Sequence, residues 1–261
     1  MAEPAYLLSL GRVPYLEAWN LQRSLAAAVS QGAMPEAVVL LEHPPVVTLG
    51  RRTGADELHV PRDADVEVVE TDRGGRSTYH GPGQLVCYPI LDLRRHGRDV
   101  KRYCRELEEA VIRTLAPFGL RGTRRAGLTG VWLADPPRKI CSLGVHISRW
   151  VTTHGYALNV DLDPSPFTEW ITACGLDGAS FTTMARELER PIEVDDVRPA
   201  AEAALAEVFE LELDPLPADE GPGLWETPLQ DRLARREKAT VAPTALVAGT
   251  GEDNGNVAAR R

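Results

Sequence analysis

The sequence predicts an α+β domain in which helices flank a mixed β-sheet. Short apolar runs of strand length recur along residues 5–161, and stretches with helical periodicity are inserted between some of them. No repeat period is visible. The 261 residues are enough for a sizeable core. We expect a single domain over residues 1–237 and a disordered tail over residues 238–261, where small and polar residues show no periodicity.

The first half of the chain is predicted to contain one helix among several strands. Residues 5–10 form an apolar run of strand length, and residues 15–31 carry apolar side chains on one helical face, with Gly32 as a plausible stop. Further strands are predicted at residues 37–41, 46–49, 66–70 and 85–93. Pro44 and Pro45 separate the first two of these, because proline interrupts strands.

The second half begins with a predicted helix over residues 99–115. Asp99 is a suitable N-cap, and apolar residues then recur at helical spacing. Three strands in series are predicted at residues 130–133, 139–147 and 155–161. Residues 164–190 are expected to form loops and short helices, and an alanine-rich helix is predicted over residues 196–211.

The composition is that of an ordinary soluble globular protein, with 43% hydrophobic and 26% charged residues. The net charge of −9 argues against bulk attraction to nucleic acid or to an anionic membrane. The N-terminus lacks a signal-peptide pattern, and no apolar run is long enough for a transmembrane helix. Four scattered cysteines favour reduced thiols, so we expect a cytoplasmic protein. The six histidines lack metal-ligand spacing, and no metal site is expected.

The densest cluster of unusual residues is the segment Arg73–Gln84, here called the glycine-rich loop. It contains four glycines, two arginines and a histidine between two predicted strands. Glycines allow positive φ and close backbone approach, and successive amides can form an anion-binding nest. The segment matches neither a phosphate-binding loop ending in Gly-Lys-Ser/Thr nor a dinucleotide fingerprint. An ordinary turn remains an alternative, but the added charged and polar side chains favour a substrate-binding loop.

Cysteine and lysine supply the candidate reactive groups. Cys87, Cys104 and Cys141 lie in apolar periodic patterns and are expected to pack in the core. Cys174 lies outside any such pattern and precedes a glycine, which suits either a structural or an activated thiol. Lys139 is one of three lysines in an arginine-rich chain. It is either solvated or retained because lysine, unlike arginine, can gain and lose a proton.

Four segments together resemble a known family. They are Arg73-Gly74-Gly75-x-x-Thr78-Tyr79-His80-x-x-Gly83-Gln84, Lys139-x-x-Ser142-Leu143-Gly144, His154-Gly155-Tyr156-Ala157-Leu158-Asn159-Val160 and Ala173-Cys174-Gly175. Their order and spacing resemble the bacterial lipoyl(octanoyl) transferases, which are octanoyl-[acyl-carrier-protein]:protein N-octanoyltransferases. The resemblance covers roughly residues 5–215.

The resemblance implies the biotin/lipoate protein ligase fold and an acyltransferase with a Cys–Lys dyad. Cys174 would carry the acyl thioester, and Lys139 would lower the pKa of its thiol. The implied substrate-binding residues are Arg73, Gly74, Gly75, Arg76, Ser77, Thr78, Tyr79, His80, Ser142, Leu143, Gly144, Gly155, Tyr156 and Ala157. No cofactor is implied.

The implied partners are octanoyl-acyl carrier protein as donor and lipoyl domains as acceptors, those of 2-oxoacid dehydrogenases and of the glycine cleavage H protein. The enzyme is expected to be a monomer. An acidic donor requires a local basic patch on this acidic chain. Two basic clusters are candidates: Arg94, Arg95, Arg98, Lys101 and Arg102 form the first, and Arg121, Arg124 and Arg125 form the second.

Two alternatives remain open from the sequence. An ATP-dependent lipoate–protein ligase has the same fold but forms an acyl-adenylate and needs no thiol nucleophile. A non-catalytic acyl-carrier or lipoate-binding module would need neither Lys139 nor Cys174, so the presence of both residues argues against it.

Overall fold

The computed structural model describes residues 2–134, 136–172 and 181–216. Cys174, with its neighbours Ala173 and Gly175, lies outside the described residues, as does the predicted tail over residues 238–261. The proposed domain boundary at residue 237 also lies outside them and stays a prediction. Among the described residues, no helix is long and apolar enough to cross a membrane.

The described residues contain a large mixed sheet of eight strands in the order β11-β1-β2-β6-β10-β9-β8-β7. Strand β1 pairs in parallel with β2 and with β11, whereas the other pairs are antiparallel. The strands are β1 Glu3–Arg12, β2 Glu36–Glu42, β6 Gln84–Ile90, β7 Thr123–Arg125, β8 Leu128–Leu133, β9 Arg138–Ser148, β10 Val151–Asn159 and β11 Leu211–Pro215. The predicted α+β fold class with a mixed sheet is therefore confirmed.

A second, three-stranded sheet was not predicted. Its strands are β3 Val46–Leu49, β4 Glu67–Glu70 and β5 Thr78–His80, in the order β4-β3-β5. Two of these were expected in the single mixed sheet. The chain leaves that sheet after β2 at Pro44 and Pro45, which cannot donate backbone hydrogen bonds. Strand β5 lies inside the glycine-rich loop and carries part of it across to this small sheet.

Five helices of the described residues accompany the sheets: α1 Tyr15–Ser30, α2 Val100–Leu115, α3 Pro166–Glu169, α4 Met184–Leu188 and α5 Val194–Phe209. The predicted cap of α2 is confirmed, since the Asp99 carboxylate accepts hydrogen bonds from the backbone amides of Lys101 and Arg102. The last helix begins two residues earlier than predicted. It ends at Phe209 instead of Leu211, because Glu210 adopts a left-handed conformation and Leu211 starts β11.

Strand periodicity directs alternate side chains of β6 to different environments. Leu85 and Cys87 belong to the main core, which also contains apolar residues of α2 and α5. Side chains alternate along a strand, so Val86 and Tyr88 point to the other face. There they line a cavity bounded by the glycine-rich loop.

Candidate active site

A cavity of about 370 Å³ lies between the glycine-rich loop and strands β6, β8, β9 and β10. This volume is within the roughly 300–1,000 Å³ typical of small-molecule sites. We call it the central cavity. Its lining comprises Tyr15, Arg52, Arg73, Gly74, Gly75, Arg76, Ser77, Thr78, His80, Val86, Tyr88, Cys104, Gly127, Leu128, Thr129, Trp132, Lys139, Ser142, Leu143, Gly144, Val145, His154, Gly155, Tyr156 and Ala157.

The cavity brings together Lys139 and the substrate-binding residues that the resemblance implied, with one exception among them. Lys139, the residues 73–78, His80, the residues 142–144 and the residues 155–157 all line it. Tyr79 does not. Because side chains alternate along β5, its ring points away from the cavity and packs edge-on against Phe167 and Trp170.

The position of Cys174 is outside the described residues, but both ends of its segment are defined. The chain is described up to Thr172 and again from Phe181. The Thr172 amide donates a 3.0 Å hydrogen bond to the carbonyl of Glu57. At the other end, Phe181 forms a parallel bridge with Lys139, and the Thr182 amide donates a 3.0 Å hydrogen bond to the Lys139 carbonyl.

Arg73 has an architectural role at the base of the glycine-rich loop. Its guanidinium is buried and donates hydrogen bonds to the hydroxyl and carbonyl oxygens of Thr48 and to the carbonyl of Arg76. Glycines allow its close approach: a Cβ on Gly144 would lie 3.2 Å from Arg73 Cδ, and one on Gly50 would lie 2.7 Å from Nη1. Arg73, for which the family resemblance implied substrate binding, thus fixes the shape of the loop.

A buried group of histidine and tyrosine side chains forms one wall of the central cavity. The Tyr15 ring stacks on His80 with 5.9 Å between centroids. His80 Nδ1 lies 2.7 Å from the Gln84 side-chain oxygen, so this nitrogen carries a proton and donates it. Burial holds the pKa of His80 well below its ordinary value and raises the pKa of Tyr15 to about 12. Both groups are uncharged at neutral pH.

His154 adds a polar contact at the same wall. Its Nε2 lies 2.7 Å from an Asp72 carboxylate oxygen, and its backbone has a φ of 57°. Its backbone amide donates a 2.7 Å hydrogen bond to the Gln22 side chain. Burial lowers the pKa of His154 against the opposing effect of Asp72, while the hydrogen bond from His154 lowers the pKa of Asp72.

A chain of buried amides connects this wall to Thr182, which follows the segment 173–180 that contains Cys174. Gln84 donates to the side-chain oxygen of Asn159 at 3.0 Å, and the Asn159 amide donates to the Thr182 carbonyl at 3.0 Å. Thr182 in turn donates to Lys139. One hydrogen-bonded network therefore joins the glycine-rich loop, β10 and β9, the strand that contains Lys139.

Sequence reasoning missed several cavity residues. Tyr15, Tyr88, Leu128, Trp132 and Val145 looked like ordinary core positions, because apolar and aromatic residues in periodic patterns usually are. The expectation that Cys104 is a core residue was wrong in part. It lies on the apolar face of α2, but it is only half-buried and lines the cavity. Cys87 and Cys141 are buried, as expected.

Within the described ranges, no group of three or more His, Cys, Asp or Glu side chains is arranged to hold a metal ion. The residues that line the cavity offer a buried lysine, backbone amides and an uncharged aromatic wall.

The sequence is similar to proteins of known family. Residues 14–206 match the model of the lipoyl protein ligase A/B catalytic domain. An octanoyltransferase of Chloroflexus aurantiacus is 50% identical over 208 residues, covering 78% of this chain and 93% of the relative. An octanoyltransferase of Gloeobacter violaceus is 47% identical over 211 residues, covering 80% and 92%.

Solved structures are similar in fold at low sequence identity. A chain from the structural analysis of a bi-partite lipoate protein ligase and its E2 lipoyl domain of Thermoplasma acidophilum has a TM-score of 0.65 at 19% identity, covering 90% of this chain and 91% of that chain. A lipoate-protein ligase A bound with ATP has a TM-score of 0.61 at 16% identity, covering 90% and 94%. This likeness confirms the predicted lipoate ligase-like fold.

Proposed function

Because the chain belongs to the lipoyl protein ligase A/B family and is an octanoyltransferase acting in protein lipoylation, we propose that the acyl group passes through a thioester on Cys174, with Lys139 as its partner in a Cys–Lys dyad. The observation that carries the proposal is the site of Lys139. It is buried in the wall of the central cavity, and its backbone bonds the residues that follow the cysteine segment.

The other end of the segment supports the same assignment. Thr172 is hydrogen-bonded to the backbone of Glu57, whose carboxylate forms an ion pair with the cavity residue Arg76. Thr172 is two residues before the proposed nucleophile, and it lies next to a residue paired with the cavity lining.

The first half-reaction exchanges one thioester for another. The Cys174 thiolate attacks the carbonyl carbon of the octanoyl thioester, and the bond from that carbon to the donor sulfur breaks. The Lys139 ammonium stabilises the attacking thiolate and then gives a proton to the departing donor thiolate. The products are octanoyl-Cys174, a free donor thiol and a neutral Lys139.

The second half-reaction forms the amide. The ε-amine of an acceptor lysine attacks the acyl carbon, the carbon–sulfur bond to Cys174 breaks, and neutral Lys139 accepts the proton lost by the amine. Thioester to amide is downhill, so the sequence of steps needs no ATP. The thiolate and the ammonium are restored for the next cycle.

Backbone amides of the glycine-rich loop are suited to stabilise the oxyanion of both steps. The Gly74 amide already donates to Val145 and the Gly83 amide to Glu42, so neither is available. The proposed donors are the amides of residues 75–77, which line the cavity. An oxyanion-hole donor contributes about 3 kcal/mol to transition-state stabilisation. The uncharged wall of Tyr15 and His80 suits the apolar octanoyl chain.

The donor is proposed to be octanoyl-acyl carrier protein, docked by the second basic cluster. Arg125 lies over the ring of Trp132, which lines the cavity. In the first cluster Arg94, Arg95 and Arg102 form ion pairs with acidic side chains of this chain. In the second cluster Arg124 is paired as well, with Glu108 and Glu109. The second cluster is favoured because Arg125 contacts a residue that lines the cavity.

The acceptors are proposed to be lipoyl domains, such as those of 2-oxoacid dehydrogenases and the H protein. A solved ligase of this fold is paired with its E2 lipoyl domain. The enzyme is also proposed to act as a monomer, which light scattering of the purified protein tests. A cytoplasmic location is also proposed, since the free thiols of Cys87, Cys104 and Cys141 persist in reducing compartments.

The ATP-dependent ligase is not favoured, because the relatives at about half identity are octanoyltransferases and the ligases share only the fold. Transfer from octanoyl carrier protein to a lipoyl domain, without ATP, tests the proposal. We expect turnover by the wild type and almost none by Cys174→Ser with unchanged carrier binding. Turnover that requires ATP, or wild-type turnover by Cys174→Ser, would contradict the covalent mechanism.

A further inference from the structure

We propose that Trp132 and Gly130 of β8 are positioning residues for Lys139. The indole ring holds the ammonium group, and the glycine leaves space for the lysine side chain. This inference rests on the proposed function, which gives Lys139 its role in acyl transfer. It adds the parts of the fold that determine where the ammonium lies.

The indole of Trp132 provides a surface for the lysine ammonium. Lys139 Nζ lies 5.6 Å from the centroid of the indole ring, within the range of a cation–π contact. Both residues are only 2% exposed. Tryptophan is the strongest aromatic partner for a cation, and the contact is strengthened when water is excluded.

An irregularity in the strand pairing places the two side chains together. Trp132 is the register partner of Lys139, and its neighbour Val131 is the partner of Cys141. Strand β9 therefore contains one extra residue, Ile140, opposite this step of β8. Such bulges redirect side chains and are frequent beside active sites. Without the bulge, the tryptophan would pair with Ile140 and the lysine would move one position along the sheet.

The side chain of Lys139 passes so close to Gly130 that a larger residue at this position would clash with it. A Cβ at this position would lie 2.7 Å from Lys139 Cε and 2.5 Å from the carbonyl oxygen of Cys141. The φ of Gly130 is +122°, a conformation that other residues rarely adopt. The glycine therefore serves both the backbone path and the space that the lysine occupies.

A buried carboxylate fixes Gly130 from the helical side. The Gly130 amide donates a 3.0 Å hydrogen bond to Glu108 of α2, which is 1% exposed. The other oxygen of Glu108 accepts from Arg105 at 2.7 Å and lies 3.3 Å from Arg124 Nε. On the strand side, the Arg125 guanidinium lies 5.1 Å from the Trp132 centroid. The indole and the glycine are thus both held by charged neighbours.

The pH dependence of Cys174 alkylation by iodoacetamide tests the proposal, measured together with kcat and KM. Trp132→Leu is expected to shift the alkylation midpoint to higher pH and to lower kcat about tenfold, with a smaller change in KM. Trp132→Phe keeps an aromatic ring, so its alkylation midpoint and its kcat are expected to stay close to those of the wild type. Trp19→Leu is the matched control, because Trp19 also has a cation on its ring, Arg23 at 4.0 Å, but does not line the cavity.

The variants separate positioning from stability and from the proposed function. If Trp132→Leu shifts the alkylation midpoint no more than Trp19→Leu, at matched folding by circular dichroism, the positioning role is wrong. If Lys139→Ala itself leaves the midpoint unchanged, the dyad is wrong and the proposed function fails instead. Should Trp132→Leu not fold, Trp132→Met and Trp19→Met, which also remove the ring but keep more side-chain volume, decide by the same comparison.

Discussion

The backbone amide of Thr182 donates a 3.0 Å hydrogen bond to the carbonyl oxygen of Lys139. This bond joins the strand of the proposed catalytic lysine to the residues that follow the proposed nucleophile in sequence. Asn159 holds the Thr182 carbonyl from the other side, and Gln84 holds Asn159. The dyad is therefore expected to depend on a buried amide network whose members Gln84 and Asn159 do not line the cavity.

Asn159→Leu tests this dependence. The variant removes the hydrogen bonds to Thr182 and Gln84 and leaves buried polar groups unpaired, so we expect a loss of about 3 kcal/mol in unfolding free energy and a fall in kcat. Thr114→Val is the control, because it removes one buried hydrogen bond, to Ala110, within α2. Steady-state kinetics and urea denaturation check both variants. Equal effects of the two on kcat would refute the link.

Lys139→Ala is expected to raise the pKa of the Cys174 thiol, because the variant removes the cation proposed to stabilise the thiolate. The rate of iodoacetamide labelling measured against pH reports that pKa. Lys139→Arg keeps the charge but cannot exchange the proton, so the thiol should stay activated while amide formation slows. A labelling profile that is the same in the wild type and Lys139→Ala would exclude this role.

His43 predicts a pH dependence of stability. Its Nδ1 donates to the Val13 carbonyl at 2.6 Å and its Nε2 accepts from the Tyr88 hydroxyl at 2.7 Å, so it is neutral. Burial lowers its pKa to about 4. Below about pH 6.5 His43 is therefore protonated in the unfolded chain but stays neutral in the folded chain. Because the unfolded chain binds more protons, stability falls as the pH drops from 6.5 towards 4.

His43→Gln should make this loss smaller. Between pH 7 and pH 5 the wild type is expected to lose about 2 kcal/mol more unfolding free energy than the variant. Urea denaturation at the two pH values measures the difference. An equal change in unfolding free energy in both proteins would show that His43 does not stay neutral in the folded chain at these pH values.

Neutralising the second basic cluster should weaken donor docking. Arg121→Gln with Arg125→Gln is expected to raise KM for the octanoyl carrier about fivefold and to reduce its salt dependence, because fewer charge pairs form across the interface. Arg95→Gln with Arg98→Gln, in the first cluster, is the matched control. Kinetics at several salt concentrations distinguish them. A larger effect of the control pair would assign docking to the first cluster.

The sequence was sufficient for the long elements and for one cap. Helices α1 and α2 follow from apolar periodicity, and Asp99 is an N-cap because its side chain matches free amides. It did not reveal β5, β7 or β11, of which two have only three residues and the third pairs with the distant β1. Their stability comes from tertiary pairing, which local propensity does not report.

The site was predictable from the residues themselves where glycine and charge cluster in one segment, as in residues 73–78, whereas residues 142–144 were expected only from the family resemblance. The histidine–tyrosine wall was not predicted as a unit. His80 was expected at the site, but Tyr15 and His154 lie far from it in sequence, and each alone resembles a core residue. Trp132 was missed for the same reason: its relation to Lys139 depends on a strand register and a bulge. The orientation of Tyr79 away from the cavity could not be predicted, because the sequence does not show which face of β5 meets the cavity.

The mass of the intact protein after mixing with octanoyl carrier protein, without ATP, tests the central claim most directly. We predict that the wild type gains one octanoyl group on Cys174, that the group is lost when a lipoyl domain is added, and that the domain becomes one octanoyl group heavier. Cys174→Ser should show no such adduct. Transfer to the lipoyl domain at the wild-type rate with no adduct on Cys174 would contradict the covalent mechanism.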